Sequence, residues 1–322
     1  MIIVTGANGF IGSAMVWQLN EAGRRDIICV DSVDTKTRPQ LLSNKKYQAF
    51  QLKDEFLNSL TSGQLKNIDW IIHIGACSST TETNVEFLRE NNTQYTQTLF
   101  GWCLKNHVPF IYASSGAVYG AGDLGFDDKS SPDIFKPLNP YGNSKWEFDC
   151  WALNQKSAPK NWYGLRFFNV YGPNEYFKGE MASVTYKAFL QVKKSKSLNL
   201  FKSHRADYDD GQQKRDFVYV KDVTRWILEI MSKQIPSGIY NMGTGAARSW
   251  LDLASIVFSS LETPLKINWI EIPENIRNQY QYFTEAKMQK LFSQGISQPQ
   301  WSLEDGVKDY VRNYLSKNET AL

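Results

Sequence analysis

The stretch Val4-Thr5-Gly6-Ala7-Asn8-Gly9-Phe10-Ile11-Gly12 constrains this chain more than any other. An apolar run, Ile2-Ile3-Val4, leads into three glycines, and an apolar-periodic segment follows from Ile11 to Glu21. The pattern predicts a strand, a tight turn and a helix. In that arrangement Gly6 serves the turn, Gly9 lets backbone come close to a pyrophosphate, and Gly12 lets helix and strand pack tightly. The helix N-terminus adds free N–H groups and a positive dipole end, which suit phosphates. A second strand, Asp26 to Val30, delivers Asp31 nineteen residues after Gly12, where a carboxylate can meet a ribose. Glycine turns also occur in α/β proteins that bind no nucleotide. The strand before this one, the helix behind it and Asp31 together favour a dinucleotide site.

Strands and helices alternate through the first half. Tyr47 to Leu52 reads as a third strand and Glu55 to Leu60 as a short helix. Asp69 to Ala76 is a buried strand ending in small residues, Gly75-Ala76, that admit a cofactor closely. His73 sits inside that apolar run, which suits a hydrogen-bonded core histidine better than a catalytic one. Glu82 to Lys105 reads as one long helix, Pro109 to Ser114 as a strand, and Tyr141 to Leu153 as a helix capped by Asn139 with Pro140 in its first turn. Tyr163 to Asn169 is a sixth strand. This alternation implies an α/β fold, a Rossmann-type doubly wound parallel sheet.

The pattern changes after Tyr171-Gly172-Pro173. Met181 to Val192 reads as a helix, Leu198 to Phe201 as a strand, Arg205 to Lys214 as a polar loop and Arg215 to Val220 as a strand. Asp222 to Met231, Ser249 to Ser259 and Ser302 to Leu315 read as helices, Gly238 to Met242 as a strand, and Leu265 to Ile272 as extended. A smaller, discontinuous α/β substrate domain is expected, at about 171–214 plus 249–322. It would pack against a dinucleotide-binding domain of 1–170 plus about 215–248.

Composition narrows the classes. The 322 residues are 42% hydrophobic and 21% charged, with a net charge of +3, too mild to point to nucleic acid. Cys29, Cys77, Cys103 and Cys150 form no CxxC pair and read as reduced packing residues rather than metal ligands. No signal peptide precedes the first strand, and no apolar run approaches the ~20 residues of a membrane span. The expectation is a cytoplasmic protein with no metal and no membrane partner.

The chemistry falls on Ser115 and on Tyr141-x-x-x-Lys145. Residues four apart on a helix share a face. A free tyrosine has a pKa of about 10, too high for a base near neutrality. A lysine ammonium and an oxidised nicotinamide would both favour the phenolate. Ser115, ending a strand, can hydrogen-bond the substrate oxygen. The trio suits hydride transfer between a carbinol and a nicotinamide. A YxxxK spacing alone is common and can be an exposed helical pair. The serine-ended strand and the glycine turn favour the catalytic reading.

Four runs carry a resemblance: Thr5 to Gly12, Ser114-Ser115-Gly116-Ala117-Val118-Tyr119-Gly120, Tyr141-Gly142-Asn143-Ser144-Lys145, and Arg166-Phe167-Phe168-Asn169-Val170-Tyr171-Gly172-Pro173. They resemble the extended short-chain dehydrogenase/reductase superfamily, whose members act mostly on nucleotide sugars. Gly75 to Glu82, Lys178 to Val184, Lys214 to Val220 and Gln279 to Thr284 are similar to the ADP-L-glycero-D-manno-heptose 6-epimerase family. The likeness covers nearly the whole chain, and the segments at Gly75 and Lys178 are its most specific parts.

The resemblance implies that Phe10, Ile11, Asp31, Ser32, Lys53, Ala76, Cys77, Ser78, Asn91, Lys145 and Val170 line the cofactor. Tyr141 and Lys178 would be the two acid/base groups, and Asn169, Phe201, Arg215 and Tyr280 would hold the substrate. Taken alone, Lys178 reads as an exposed or phosphate-binding lysine. The family uses NADP despite an aspartate at the Asp31 position, with a lysine where Arg38 stands. Arg38 and Lys53 could neutralise a 2′-phosphate, whereas Asp31 alone would favour NAD. The implied reaction inverts C6 of a heptose through a 6-keto sugar and feeds lipopolysaccharide inner-core assembly. Family members form homo-oligomers, as pentamers.

The chain departs from the family pattern at Glu180, at Lys187, at Lys202-Ser203-His204 with the longer loop that follows, and at Ile74. These changes gather on the substrate side, so an ADP-heptose or a related nucleotide sugar is the expected partner. A UDP-sugar 4-epimerase and a non-catalytic NAD(P)-binding sensor stay open. A 4,6-dehydratase would need an Asp-Glu pair where Gly116-Ala117 stands.

Overall fold

The computed structural model describes residues 1–277 and 280–322, and of Asn275 and Ile276 the backbone alone. Gln279 lies outside the described residues. The first half runs β1 (Ile2–Thr5), α1 (Phe10–Glu21), β2 (Ile27–Asp31), β3 (Ala49–Leu52), α2 (Lys53–Thr61), β4 (Trp70–His73), α3 (Val85–Leu88), α4 (Tyr95–Asn106), β5 (Phe110–Ser115), α5 (Pro140–Leu153) and β6 (Trp162–Phe167). Then come β7 (Asn169–Tyr171), α6 (Val184–Ser195), β8 (Leu198–Phe201), β9 (Lys214–Tyr219), α7 (Val220–Lys233), β10 (Gly238–Met242), β11 (Ala247–Ser249), α8 (Trp250–Ser260), β12 (Ile267–Ile270), α9 (Glu274–Arg277), α10 (Gln289–Phe292) and α11 (Leu303–Asp309).

Seven strands form one sheet in the order β10-β6-β5-β4-β1-β2-β3, parallel at every pairing. Helices cover both faces, so successive residues of one strand enter different cores. Ile2, Val4, Ile27, Cys29, Ile72, Ile111 and Tyr163 pack beneath one face, while Ile3, Ile28, Ile71, Phe110, Tyr112 and Trp162 pack on the other. Burial on both faces explains why these strands are apolar throughout instead of alternating. The strand order reverses at β1 and β4, and this is where a doubly wound sheet opens a crevice at its carboxyl ends.

A second core lies outside that sheet, with Tyr171, Tyr186, Phe189, Leu200, Tyr219, Leu253, Phe258 and Tyr310 among its members. Its strands pair as β11-β9-β7 and β12-β8. β7 is where the chain leaves the large sheet. The predicted sixth strand, 163–169, is therefore two: β6 ends at Phe167, and Asn169 already pairs with Phe217 of β9. Val218 of β9 packs into the core beneath the large sheet, as do Val223 and Trp226 of α7.

Helix boundaries shift where side chains compete for backbone groups. The helix predicted from Glu82 starts at Val85. The Glu82 carboxylate accepts from the N–H groups of Thr83 and Asn84 at 2.9 and 2.8 Å, and Asn84 caps the helix through Phe87 N–H at 3.0 Å. This helix is also not uniform, since a π segment at Arg89–Gln94 joins α3 to α4. The helix predicted from Met181 begins at Val184 under a Ser183 cap, and a 3-10 segment at Tyr176–Met181 precedes it. Past α11 the final helix turns π at Tyr310–Tyr314.

Candidate active site

The crevice floor is a contact between glycines. Gly6 takes φ +67°, and a Cβ on it would lie 2.7 Å from Gly75 Cα. A Cβ on Gly12 would lie 1.9 Å from the Gly6 carbonyl oxygen, so α1 can start this close to β1 only with glycine there. Gly9 N–H donates to that same carbonyl at 2.9 Å. The result is a backbone-lined hollow at the N-terminus of α1 that side chains do not fill. It has the shape and polarity a dinucleotide pyrophosphate requires.

The cleft continues from this hollow in two halves that share Phe10, Ile11, Ile74, Ala76, Cys77, Ser78 and Lys178. The first half brings together Gly6, Gly9, Gly12, Asp31, Ser32, Arg38, Lys53, Gly75 and Asn91 with those shared residues. Both carboxylate oxygens of Asp31 are engaged by backbone, accepting from Asn8 N–H at 2.9 Å and Val33 N–H at 3.0 Å. The Arg38 guanidinium reaches the Asn8 carbonyl at 2.5 Å and lies 3.6 Å over the Phe177 ring. Lys53 donates to Asn91 Oδ1 at 2.6 Å beneath the Tyr95 ring. Burial holds both cations below their ordinary pKa, so an anion placed beside them would regain favourable charge pairing.

The second half holds Ser115, Tyr141, Lys145, Asn169, Val170 and Lys178. Ser115 ends β5, and Tyr141 and Lys145 lie on α5, whose start is fixed by the Asn139 side chain accepting from Gly142 N–H at 2.8 Å. Lys145 is buried and donates to the Ala113 carbonyl at 2.9 Å. Burial pulls its ammonium down to about 8, with the Asp149 charge opposing. Burial also pushes the Tyr141 phenol up, against a hydrogen bond from Ser115 that pulls it back. The direction is opposite to the lowering expected of the Tyr-Lys pair. One N–H of Lys145 goes to a backbone carbonyl, and at the phenol burial outweighs the help that Ser115 gives. Lys178, half-buried in the 3-10 segment after β7, stands 5.5 Å from the Phe10 ring centroid. Burial lowers its pKa, and Glu175 opposes the shift.

Two hydrogen-bond networks fix these elements. Asp149, one turn beyond Lys145 on α5, accepts from Tyr112, Ser114 and Arg166 Nε, each at 2.9 Å. Arg166 continues to the Tyr119 hydroxyl at 3.0 Å, which donates to Asn241 at 2.7 Å. On the other side His73 Nδ1 lies 2.6 Å from Thr5 Oγ1 and Nε2 3.0 Å from Thr96 Oγ1. Thr96 gives its proton to the Asn92 carbonyl at 2.6 Å, so Nε2 carries the imidazole hydrogen and Nδ1 accepts from Thr5. His73 is a core residue, as its apolar surroundings suggested, and burial pushes its pKa down to about 3. Asn92, in the π segment, grips the Cys77 backbone through both N–H and carbonyl and donates to Ser144 on α5.

The remaining candidates lie beside the cleft rather than in its lining. Phe201 and Tyr280 meet edge to face at 6.0 Å. Arg215 is buried, packed 5.4 Å from the Tyr280 centroid and 5.5 Å from that of Trp250, and it donates to the Lys214 and Gln281 carbonyls. Ser203 and His204 meet the Tyr282 hydroxyl, and Lys202 pairs with Glu271 at 2.9 Å. Glu180 and Lys187 face each other at 3.5 Å, with the Glu180 side chain fully exposed. Trp250 and Gln281 connect this aromatic cluster to the cleft, which they line. Phe168, Ser183, Thr185 and Thr284 also line it and were not among the predicted residues. Phe168 and Thr284 fall inside motif runs already visible in the sequence. Thr185 carries no local signal, since only packing brings it to the cleft.

Several known proteins are similar. The family model described as NAD dependent epimerase/dehydratase family matches residues 2–243. An ADP-L-glycero-D-manno-heptose-6-epimerase of Fusobacterium nucleatum is 46% identical over 100% of both chains. The crystal structure of the Helicobacter pylori ADP-L-glycero-D-manno-heptose-6-epimerase matches with a TM-score of 0.81 at 28% identity, covering 97% of this chain and 95% of that one. The structure of MoeE5 in complex with UDP-glucuronic acid and NAD matches with a TM-score of 0.76 at 26% identity, covering 97% and 99%.

Proposed function

Because this chain belongs to the NAD dependent epimerase/dehydratase family and, within it, to the ADP-L-glycero-D-manno-heptose-6-epimerases, we propose that it inverts C6 of the heptose in ADP-D-glycero-D-manno-heptose to give the L-glycero epimer. The observation that carries this reading is the convergence of Tyr141, on α5, and Lys178, in the 3-10 segment after β7, upon one cleft. Inversion at a carbinol carbon through a ketone needs a proton-transfer group on each face. One residue takes the hydroxyl proton, the keto sugar turns its other face by rotation about C5–C6, and the other residue returns a proton. Ser115 would hold the reacting oxygen.

The nicotinamide cofactor, when bound, would supply the hydride acceptor and donor at C6 and a positive charge that favours the Tyr141 phenolate. Gly6, Gly9, Gly12 and Gly75 would let the protein backbone approach it closely. Asp31, Ser32, Asn91 and Lys145 would contact it with Phe10, Ile11, Ala76, Cys77, Ser78 and Val170. The cations Arg38 and Lys53 support NADP over NAD, and Asp31 already has both oxygens engaged by backbone. Coenzyme released from the purified protein tests this choice, and predominant NAD overturns it.

Arg215, with Phe201, Tyr280 and Asn169, would hold the nucleotide diphosphate and sugar, and Lys202, Ser203, His204, Glu180 and Lys187 would shape the rim. Residues 1–170 with about 215–248 would form the coenzyme part and the rest the substrate part. Among the described residues no helix is long and apolar enough to cross a membrane. A cytoplasmic homo-oligomer serving lipopolysaccharide inner-core synthesis completes the reading.

Incubation with ADP-D-glycero-D-manno-heptose and, separately, UDP-galactose, with product stereochemistry read by NMR, tests the function. Inversion at C6 of the ADP-sugar is expected. Turnover of the UDP-sugar alone overturns the assignment.

A further inference from the structure

The segment that carries Lys178 is built around a buried carboxylate for which the chemistry above has no use. Glu175 is 0% exposed. Its Oε1 accepts from Gly172 N–H at 3.2 Å and from the Ser183 hydroxyl at 2.7 Å, and its Oε2 from Ser183 N–H at 2.5 Å. One side chain thus ties together the two ends of the 172–183 segment. Its own carbonyl accepts from Lys178 N–H at 3.0 Å, which fixes the backbone of the lysine to the same residue. Ser183 in turn caps α6 by accepting from Tyr186 N–H at 3.2 Å, so the tie is anchored in a regular helix.

Burying a carboxylate is costly unless it is hydrogen-bonded and paired. Three donors converge on Glu175, a set that suits the ionised form. Burial pushes its pKa up, while the Ser183 and Gly172 bonds and the Lys178 charge pull it down. The other titratable groups around the carboxylate are the phenols of Tyr176, Tyr186 and Tyr310, and Tyr186 is itself bonded to Glu319 at 2.6 Å. The Phe10 ring centroid lies 5.5 Å from Lys178 Nζ, and Arg38 stacks on the neighbouring Phe177. The Lys178 charge lowers the Glu175 pKa, and the Glu175 charge raises that of Lys178.

We propose that Glu175 is a positioning residue for Lys178: it closes the 172–183 segment that carries the lysine to the cleft, and its charge bears on the ammonium. The inference rests on the reading of Lys178 as a proton-transfer group. Its test combines a titration that needs no substrate with an activity measurement. In protein carrying isotope-labelled lysine, the Lys178 resonance is assigned by its loss in Lys178→Met and followed with pH by NMR. Glu175→Gln keeps the size and removes the charge, so the Lys178 midpoint should fall. Glu175→Asp keeps the charge but shortens the tie. It should leave the midpoint in place and lower kcat about tenfold, with little change in KM. A folded Glu175→Gln with an unmoved Lys178 midpoint overturns the proposal. Should Glu175→Gln not fold, Glu175→Asp at wild-type kcat overturns it. A wild-type protein that epimerises no sugar overturns the functional reading instead and leaves the titration arm standing.

Discussion

Gly6 and Gly75, at the carboxyl ends of β1 and β4, press backbone against backbone. A Cβ on Gly6 would lie 2.7 Å from Gly75 Cα and nitrogen, and a Cβ on Gly75 would lie 2.8 Å from Gly6 nitrogen. Two adjacent parallel strands meet here at the point where strand order reverses, so this contact sets how deep the crevice is.

Gly6→Ala should cost about 1–3 kcal/mol of stability, from the backbone collision and from forcing a side chain onto φ +67°. Coenzyme retained through purification should fall with it. Gly101→Ala in α4, where a Cβ meets nothing within 4 Å, should be neutral or stabilising. Denaturant midpoints and coenzyme absorbance check both. A tolerated Gly6→Ala would show that the floor can yield.

Tyr141→Phe and Lys178→Met should each lower epimerisation by ~10²–10⁴-fold, the range for losing one positioned acid or base. Folding and coenzyme content should be unchanged. In deuterated water no deuterium should enter C6, because hydride returns without exchange. Deuterium at C6, or full turnover in either variant, contradicts the two-group scheme.

Asp149 and Arg166 pair at 2.9 Å with side chains 0% and 1% exposed. Asp149→Ala leaves the guanidinium buried without its partner and should cost about 3–5 kcal/mol. Since Ser114, next to Ser115, bonds to Asp149, and the Asp149 charge acts on Lys145, activity should fall as well. Urea unfolding measures the first effect. A loss below about 1 kcal/mol would mean that water enters and replaces the carboxylate.

His73 gives the stability a defined acid dependence. Its folded pKa is lowered from 6.5 to about 3 by burial, aided by the Lys145 and Lys53 charges. Above pH 6.5 it is neutral in both folded and unfolded states and contributes no pH dependence. Between pH 6.5 and 3 the unfolded chain binds a proton there that the folded chain refuses, so stability drops as pH falls through that window. The loss should be on the order of 5 kcal/mol when complete. His73→Gln should flatten this slope, as urea midpoints from pH 7 to 4 would show. An equal slope in the variant would place the acid sensitivity elsewhere.

Much of the site was legible from local sequence because backbone geometry imposes it locally. A strand that turns at φ +67° into a helix needs Gly6 and Gly12 at fixed spacing, and Tyr141 and Lys145 share a face through helical periodicity alone. Other features follow from competition that periodicity does not reveal. Glu82 and Asn84 stop the helix short, and the Arg89–Gln94 π segment turns Asn92 onto Cys77 and Ser144. The rise in the Tyr141 pKa is likewise a matter of burial, which spacing does not measure.

The parallel α/β class, the glycine hollow and the helical Tyr-Lys pair are readable from residue order, because each is a demand made within a few residues of chain. Long-range packing alone sets that β7 leaves the large sheet for β9, that Glu180 and Lys187 turn to each other, and that Glu175 is buried. Those outcomes depend on which distant surfaces exclude water together, and no local pattern of side chains encodes that choice.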